Sequence, residues 1–258
     1  MSRRTFFDAG GSGSGLSPTV LYEVDFTSQG NVGALTPGTV TIDGKDWSYV
    51  RDGAGAASVV ATLTAADGLK VTSDPTVPSG GAFITLPLTE VGADEYLWRA
   101  HAVTVTALVE HNIPAQDSCT AAVGLMDGVD GTSWDHWSQG LYRTRVAGTQ
   151  AWMPLQMRAS SYVPAYGSTL YTGDLTLTVF SVVSRSMFSA ALFIGDGTAY
   201  PDAPVLETEL NDTAAAWPNA GAAPSPSDVS VFLRYYQGNA PSPALQTVKM
   251  KKLRVVAG

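Results

Sequence analysis

Residues 20–27 read Val-Leu-Tyr-Glu-Val-Asp-Phe-Thr, with Val20, Tyr22, Val24 and Phe26 at period two and Glu23 and Asp25 in the opposite phase. That alternation predicts a strand with one wall on a core. At the far end, residues 247–256 hold Val248 and Met250 in one phase and Leu253 and Val255 in the other. An extra residue at Lys251-Lys252 must then be absorbed as a bulge. First and last strands that pair antiparallel close the chain into a sandwich and exclude a row of βαβ units.

Between these ends the apolar stretches are short and separated by turn residues. Thr39–Ile42 and Trp47–Arg51 flank Asp43-Gly44, a hairpin signal. Ser58–Leu63 and Gly68–Thr72 flank a second turn, and Ala82–Leu86 enters through Gly80-Gly81. Residues 101–110 alternate, with His101, Val103, Val105, Ala107 and Val109 on one face and Thr104 and Thr106 on the other. Further strands are predicted over 121–126, 140–146, 151–159, 175–183, 187–194 and 229–236, and one helical turn within Pro87–Tyr96. Long helical periodicity is absent. The expectation is an all-β, two-sheet antiparallel jelly-roll sandwich of about twelve to fourteen strands over residues 20–258, preceded by an arm over residues 1–19.

Composition narrows the partners. Only 15% of residues are charged against 45% hydrophobic, a surface poor in charge for a protein of this size, which suits partial covering by a partner. The net charge is −8, yet every acidic residue lies between Asp8 and Asp228. An acidic body argues against nucleic-acid binding through phosphate contacts. Basic residues gather at the ends: Arg3 and Arg4, then Lys249, Lys251, Lys252 and Arg254. Two readings of these are open, solvated flanks of an edge strand or a dock for an acidic neighbour. Cys119 is the single cysteine, so there is no disulfide framework and no cysteine-based metal site. No apolar run has the length of a signal peptide or of a membrane span, which predicts a soluble protein made in a cytoplasm.

The arm joins a basic-aromatic tip, Arg3, Arg4, Phe6 and Phe7, to a Gly/Ser hinge at Gly10–Gly15. It reads either as an anchor inserted into a neighbouring subunit or as a frayed terminus.

The opening Leu21-Tyr-Glu-Val-Asp-Phe-Thr27, the Val/Thr strand at 102–109, the following Ala-Val-Gly-Leu at 122–125, Leu175–Val179 leading to Phe188–Phe193, and the closing Met-Lys-Lys-Leu-Arg-Val together resemble the concanavalin A-like lectin/glucanase jelly roll in its laminin-G-like form. The resemblance covers roughly residues 20–256 and rests on strand order, not on a catalytic signature. Proteins of this class include lectins, family 16 glycanases, adhesive modules and structural proteins of bacteriophages. The low-charge, Ala/Gly/Thr/Val-rich texture with a glycine-linked arm looks most like the phage members. The resemblance implies a non-enzymatic virion component of capsid-decorating or head-fibre type, carried on the virion, homo-oligomeric and in contact with capsid or other virion proteins. The alternative is a carbohydrate-binding adhesin with a glycan partner.

Candidate chemistry is sparse. A retaining glycanase needs two carboxylates about 5–5.5 Å apart, supplied on this scaffold by a Glu-x-Asp-x-x-Glu strand that the chain lacks. Glu207 and Glu209 share a phase, but they follow Pro201 and Pro204, which predicts solvated loop carboxylates. His101, His111 and His136 are too scattered for a metal pair. There is no nucleophile elbow, phosphate loop or dinucleotide fingerprint. The expectation is no enzyme and no cofactor. The richest constellation is residues 127–137, where Asp127, Asp130 and Asp135 form a weak Ca²⁺ candidate and Trp134 and Trp137, with Tyr142 beyond, offer ring faces to a sugar or a subunit interface. An ordinary turn with packed tryptophans is the competing reading.

Overall fold

The computed structural model describes residues 19–93, 103–113, 119–127, 138–146, 149–158, 161–164, 178–184, 188–195, 206–210, 229–238 and 245–257. The strands are β1 Thr19–Asp25, β2 Gly33–Ala34, β3 Gly38–Ile42, β4 Lys45–Asp52, β5 Val59–Thr64, β6 Gly68–Ser73, β7 Gly81–Pro87, β8 Val103–Asn112 and β9 Cys119–Asp127. They continue as β10 Ser138–Val146, β11 Thr149–Arg158, β12 Ser161–Pro164, β13 Thr178–Ser184, β14 Phe188–Gly195, β15 Leu206–Leu210, β16 Val229–Gln237 and β17 Thr247–Ala257. Short 3-10 turns occupy Phe26–Ser28, Ala56–Ser58 and Leu88–Val91, the last inside the predicted helical turn. Two antiparallel sheets result, A in the order β15-β14-β13-β8-β17-β6-β5-β2 with β1 also on β17, and B in the order β12-β11-β10-β9-β16-β7-β4-β3. This is a jelly-roll sandwich, as the strand pattern predicts.

The first and last strands do pair: Val24 stands opposite Leu253 and Tyr22 opposite Val255. The bulge falls where the phase change placed it, with the β17–β8 register shifting between Met250 and Lys252. Val248, Met250, Leu253 and Val255 consequently all reach the core despite their two phases. The same shift changes β17's partner on its other side, from β6 along Thr247–Met250 to β1 along Lys252–Ala257. Gly68 lies at this junction with φ +70°, and a Cβ there would sit 2.7 Å from the Met250 carbonyl oxygen. Only glycine meets both demands.

Three expectations need correction. Val20 is 53% exposed, because the β1 register shifts between Val20 and Tyr22 and Leu21 packs against the core instead. β17 is central rather than an edge, and its cations are paired within the chain: Lys249 with Asp67 and Glu110, Lys251 with Glu110, Lys252 with Asp25, and Arg254 with Glu23. They are therefore not the flanks of an edge strand. Glu207 and Glu209 are not in a loop but in β15, paired to β14. The two prolines lie upstream of that strand, and Leu206, Thr208 and Leu210 keep its period of two.

Polar side chains tie the sheets together through the core. The Tyr49 hydroxyl on β4 donates to the Val59 carbonyl oxygen and accepts from the Ala61 N–H on β5. At another point Trp152 Nε1 on β11 donates to His111 Nε2 on β8 over 3.2 Å. At one end Ser73 of β6 meets Tyr235 and Gln237 of β16, while Gln246, just before β17, accepts from Cys119 of β9 and from Tyr235.

Candidate functional site

A sandwich strand normally buries one face and wets the other. The central strands of sheet B do not. On β16 the inward phase, Val231, Leu233 and Tyr235, is core, yet Ser230, Phe232 and Arg234 in the outward phase are buried too. The same holds for Phe83 and Thr85 on β7 and for Thr120, Ala122 and Met126 on β9. Register sets these side by side: Ala122, Arg234, Phe83 and Val50 form one row across four strands, with Thr120, Tyr236, Gly81 and Asp52 in the next.

Arg234 sits near the middle of this outer face and is 2% exposed. Its guanidinium carbon lies 4.4 Å from the Phe83 ring centroid and 5.6 Å from that of Tyr236. Burying a cation is costly, and ring faces offset part of that cost. Gly81 makes the arrangement possible, since a Cβ there would come within 2.7 Å of the Tyr236 ring. The Gly80-Gly81 entry read in the sequence as a strand start thus clears space for an aromatic ring. Asp52 borders the face, its Oδ1 accepting from the Gly53 N–H at 2.6 Å. Its Oδ2 is buried with no hydrogen-bond partner among the described residues.

Among the described residues, register places two acidic residues at outward strand positions of sheet B, Asp46 and Asp52, both on β4 and six residues apart. Asp46 accepts a hydrogen bond from the Thr41 hydroxyl. Among the described residues, each carboxylate with a resolved pKa shift is shifted downward. Hydrogen bonds from Lys70 and Lys249 hold Asp67 below its usual value. Burial pushes Glu110 and Asp25 up, but the hydrogen bonds and charge of Lys251 and Lys249 on Glu110, and of Thr27 and Lys252 on Asp25, outweigh it. Hydrogen bonds from Thr76 lower Asp74. No group of three or more His, Cys, Asp or Glu is gathered to hold a metal ion among the described residues. No helix among them is long and apolar enough to cross a membrane.

Of the sequence candidates, Tyr142 lies on β10 opposite Ala122, in the row of Arg234, and its side chain lies outside what is described. Asp127 closes β9, and Ser138 opens β10 opposite Met126, so the residues that flank 128–137 in sequence stand on neighbouring strands of sheet B. Asp130, Trp134, Asp135 and Trp137 in that segment, and Arg3, Arg4, Phe6 and Phe7 in the arm, lie outside the described residues, as do His101 and His136. Strand alternation alone does not single out the Arg234 face. Its signal was present in Val229-Ser-Val-Phe-Leu-Arg-Tyr-Tyr236, where neither phase is consistently polar.

No family model matches the chain, and no curated protein matches it. Solved structures do. A peanut lectin bound to a nonapeptide aligns with TM-score 0.53 at 6% identity, covering 94% of this chain and 98% of the lectin. A structure reported with endo-acting O-glycanases of human gut bacteria that initiate mucin breakdown aligns with TM-score 0.52 at 13% identity, covering 92% and 99%. An endo-1,3-β-glucanase from Streptomyces sioyaensis aligns with TM-score 0.47 at 11% identity, covering 93% and 96%. At these identities the first two establish the fold alone: a concanavalin A-like jelly roll that elsewhere carries both lectins and glycosidases.

Proposed function

We propose that the chain is a non-catalytic carbohydrate-binding module that meets its glycan at the rim of the sandwich, through the segment joining β9 to β10. The observation that carries this is the burial of the outer face of sheet B around Arg234. A face closed in this way leaves little room for an extended sugar chain and shifts recognition to the end of the sheet. The joining segment contains Trp134 and Trp137, a residue type whose ring faces suit sugar stacking, and in the same run of sequence Asp130 and Asp135. The likeness in fold to peanut lectin supports the reading. The non-catalytic part is supported by carboxylate placement. At 3.3–3.4 Å per residue, Asp46 and Asp52 stand about 20 Å apart, against the ~5–5.5 Å of a retaining pair and the ~6.5–9.5 Å of an inverting one. The test is a glycan array read with the intact chain and with a Trp134→Ala/Trp137→Ala variant. Retention on particular glycans by the intact chain, lost in a variant of unchanged melting temperature, is the expected result; retention on none, or retention by both proteins, contradicts it.

A second reading is favoured by composition. A chain with 15% charged residues and a tip of Arg3, Arg4, Phe6 and Phe7 on a glycine tether suits a bacteriophage virion protein of capsid-decorating or head-fibre type. Such a protein anchors through its arm, which spans about 20 Å for a dozen Gly/Ser-rich residues. Particles stripped of the native protein should then bind the intact chain and fail to bind one lacking Met1–Gly15. Equal co-sedimentation of the two would remove the arm from the account.

A further inference from the structure

A strand at the edge of a sheet presents unpaired N–H and C=O groups that template pairing with another chain, and folds blunt such edges by recurring devices. Among the described residues five strands offer an edge, and four are blunted. β2 is two residues long, β12 ends on Pro164, and β15 carries Glu207 and Glu209 within five residues. β1 has a register break and bears Glu23 and Asp25. β3 has none of these devices. It reads Gly-Thr-Val-Thr-Ile, pairs with β4 in unbroken register, and exposes Thr39 and Thr41.

The turn fixes which backbone groups are free. Asp43 and Gly44 have φ of 52° and 69°, the type I′ geometry of a two-residue hairpin. In such a hairpin Ile42 and Lys45 form a hydrogen-bonded pair, as do Val40 and Trp47 by alternation. Thr39 and Thr41 then turn their N–H and C=O groups away from β4, toward the open edge.

We propose that β3 pairs antiparallel with β3 of a second copy of this chain, across a two-fold axis passing beside Val40. The segment is palindromic: Thr39 meets Thr41 of the second copy, Val40 meets Val40, and Thr41 meets Thr39. Each Thr pair exchanges two N–H···O bonds, four in all, and no charge is set against its own copy. A two-fold contact requires this self-complementarity, which a Thr-Val-Thr edge supplies and the Glu-bearing β15 edge does not. β-Branched residues facing one another across an antiparallel pair also suit the pleated surface. The contact joins two eight-stranded sheets into one and is independent of the glycan reading.

The test is sedimentation velocity over a dilution series. The intact chain is expected to move from twice the 27.0 kDa chain mass toward a single chain on dilution. A Thr39→Lys/Thr41→Lys variant, whose side chains oppose like charges across the axis without touching an internal hydrogen bond of β3's backbone, is expected to stay at one chain throughout. A Val40→Cys variant places two thiols in a non-hydrogen-bonded pair, and mild oxidation is expected to give a reducible dimer, with buried Cys119 in the unmutated chain as the control. An intact chain that remains single at every concentration overturns the proposal. Undiminished association of the double lysine variant, or failure of the cysteine variant to link, overturns it equally.

Discussion

The hydroxyl of Tyr49, on one sheet, accepts a hydrogen bond from the backbone N–H of Ala61, on the other, over 3.2 Å. The same oxygen accepts from Arg51 Nε at 3.0 Å and donates to the Val59 carbonyl at 3.3 Å, so one phenol is fully used at the inner wall. Tyr49→Phe keeps the ring and removes the bridge, leaving the buried Ala61 N–H without its acceptor. The expected cost is about 1–3 kcal/mol, read as a lowered urea midpoint with an unchanged slope. A midpoint equal to that of the unmutated chain would mean the bridge contributes nothing.

Gly68→Ala tests the junction where β17 changes partner. The substitution sets a Cβ against the Met250 carbonyl oxygen and forces a left-handed conformation on alanine. The expected loss is larger than the roughly 1 kcal/mol typical of a point substitution. Gly30, also at positive φ but with open space around it, serves as the comparison. Gly30→Ala should cost less, and equal losses would assign the effect to conformation alone.

Acid should weaken the fold through the network on the outer side of sheet A. Native Asp67, Glu110 and Asp25 are held below their ordinary values. Their contribution is therefore complete above the unfolded carboxylate range near pH 4 and is lost as pH falls through the lower native values. Lys249 is shifted the other way: burial lowers it, but the hydrogen bonds and charge of Asp67 and Glu110 prevail and raise it. Its contribution is complete below the ordinary lysine pKa of about 10.4 and is lost as pH rises through the raised value. Melting temperature against pH should fall at both ends, with shallower limbs in Lys249→Met. Limbs that superimpose would remove Lys249 from the network's energetics.

The sequence made some of these relationships visible and hid others, for physical reasons. β1, β17 and the bulge between Met250 and Lys252 were legible because one face of each strand is core and the other wet, so phase alone locates the extra residue. The Asp43-Gly44 and Ala65–Gly68 hairpins were legible through turn chemistry. The pairing of β17's cations was not, because basic residues on a strand's wet face look the same whether their neighbours are water or Asp67, Glu110 and Glu23. β15 was hidden by the prolines before it. The buried outer face of sheet B was hidden because alternation carries information only when one face is exposed. In Phe232, Arg234 and Tyr236 the outward phase mixes ring and charge, and only the placement of Phe83 across the strand gives Arg234 its surroundings.

The central claim, a jelly roll that binds a glycan without cutting it, is tested most directly by passing the chain with a glycan from the array through a sizing column. The carbohydrate that travels with the protein is then weighed by mass spectrometry. The glycan is expected to co-elute with the chain and to be recovered at its starting mass after prolonged incubation. Glycan fragments in the protein fraction or in the included volume would contradict the non-catalytic reading, and a glycan that never travels with the protein would contradict binding itself.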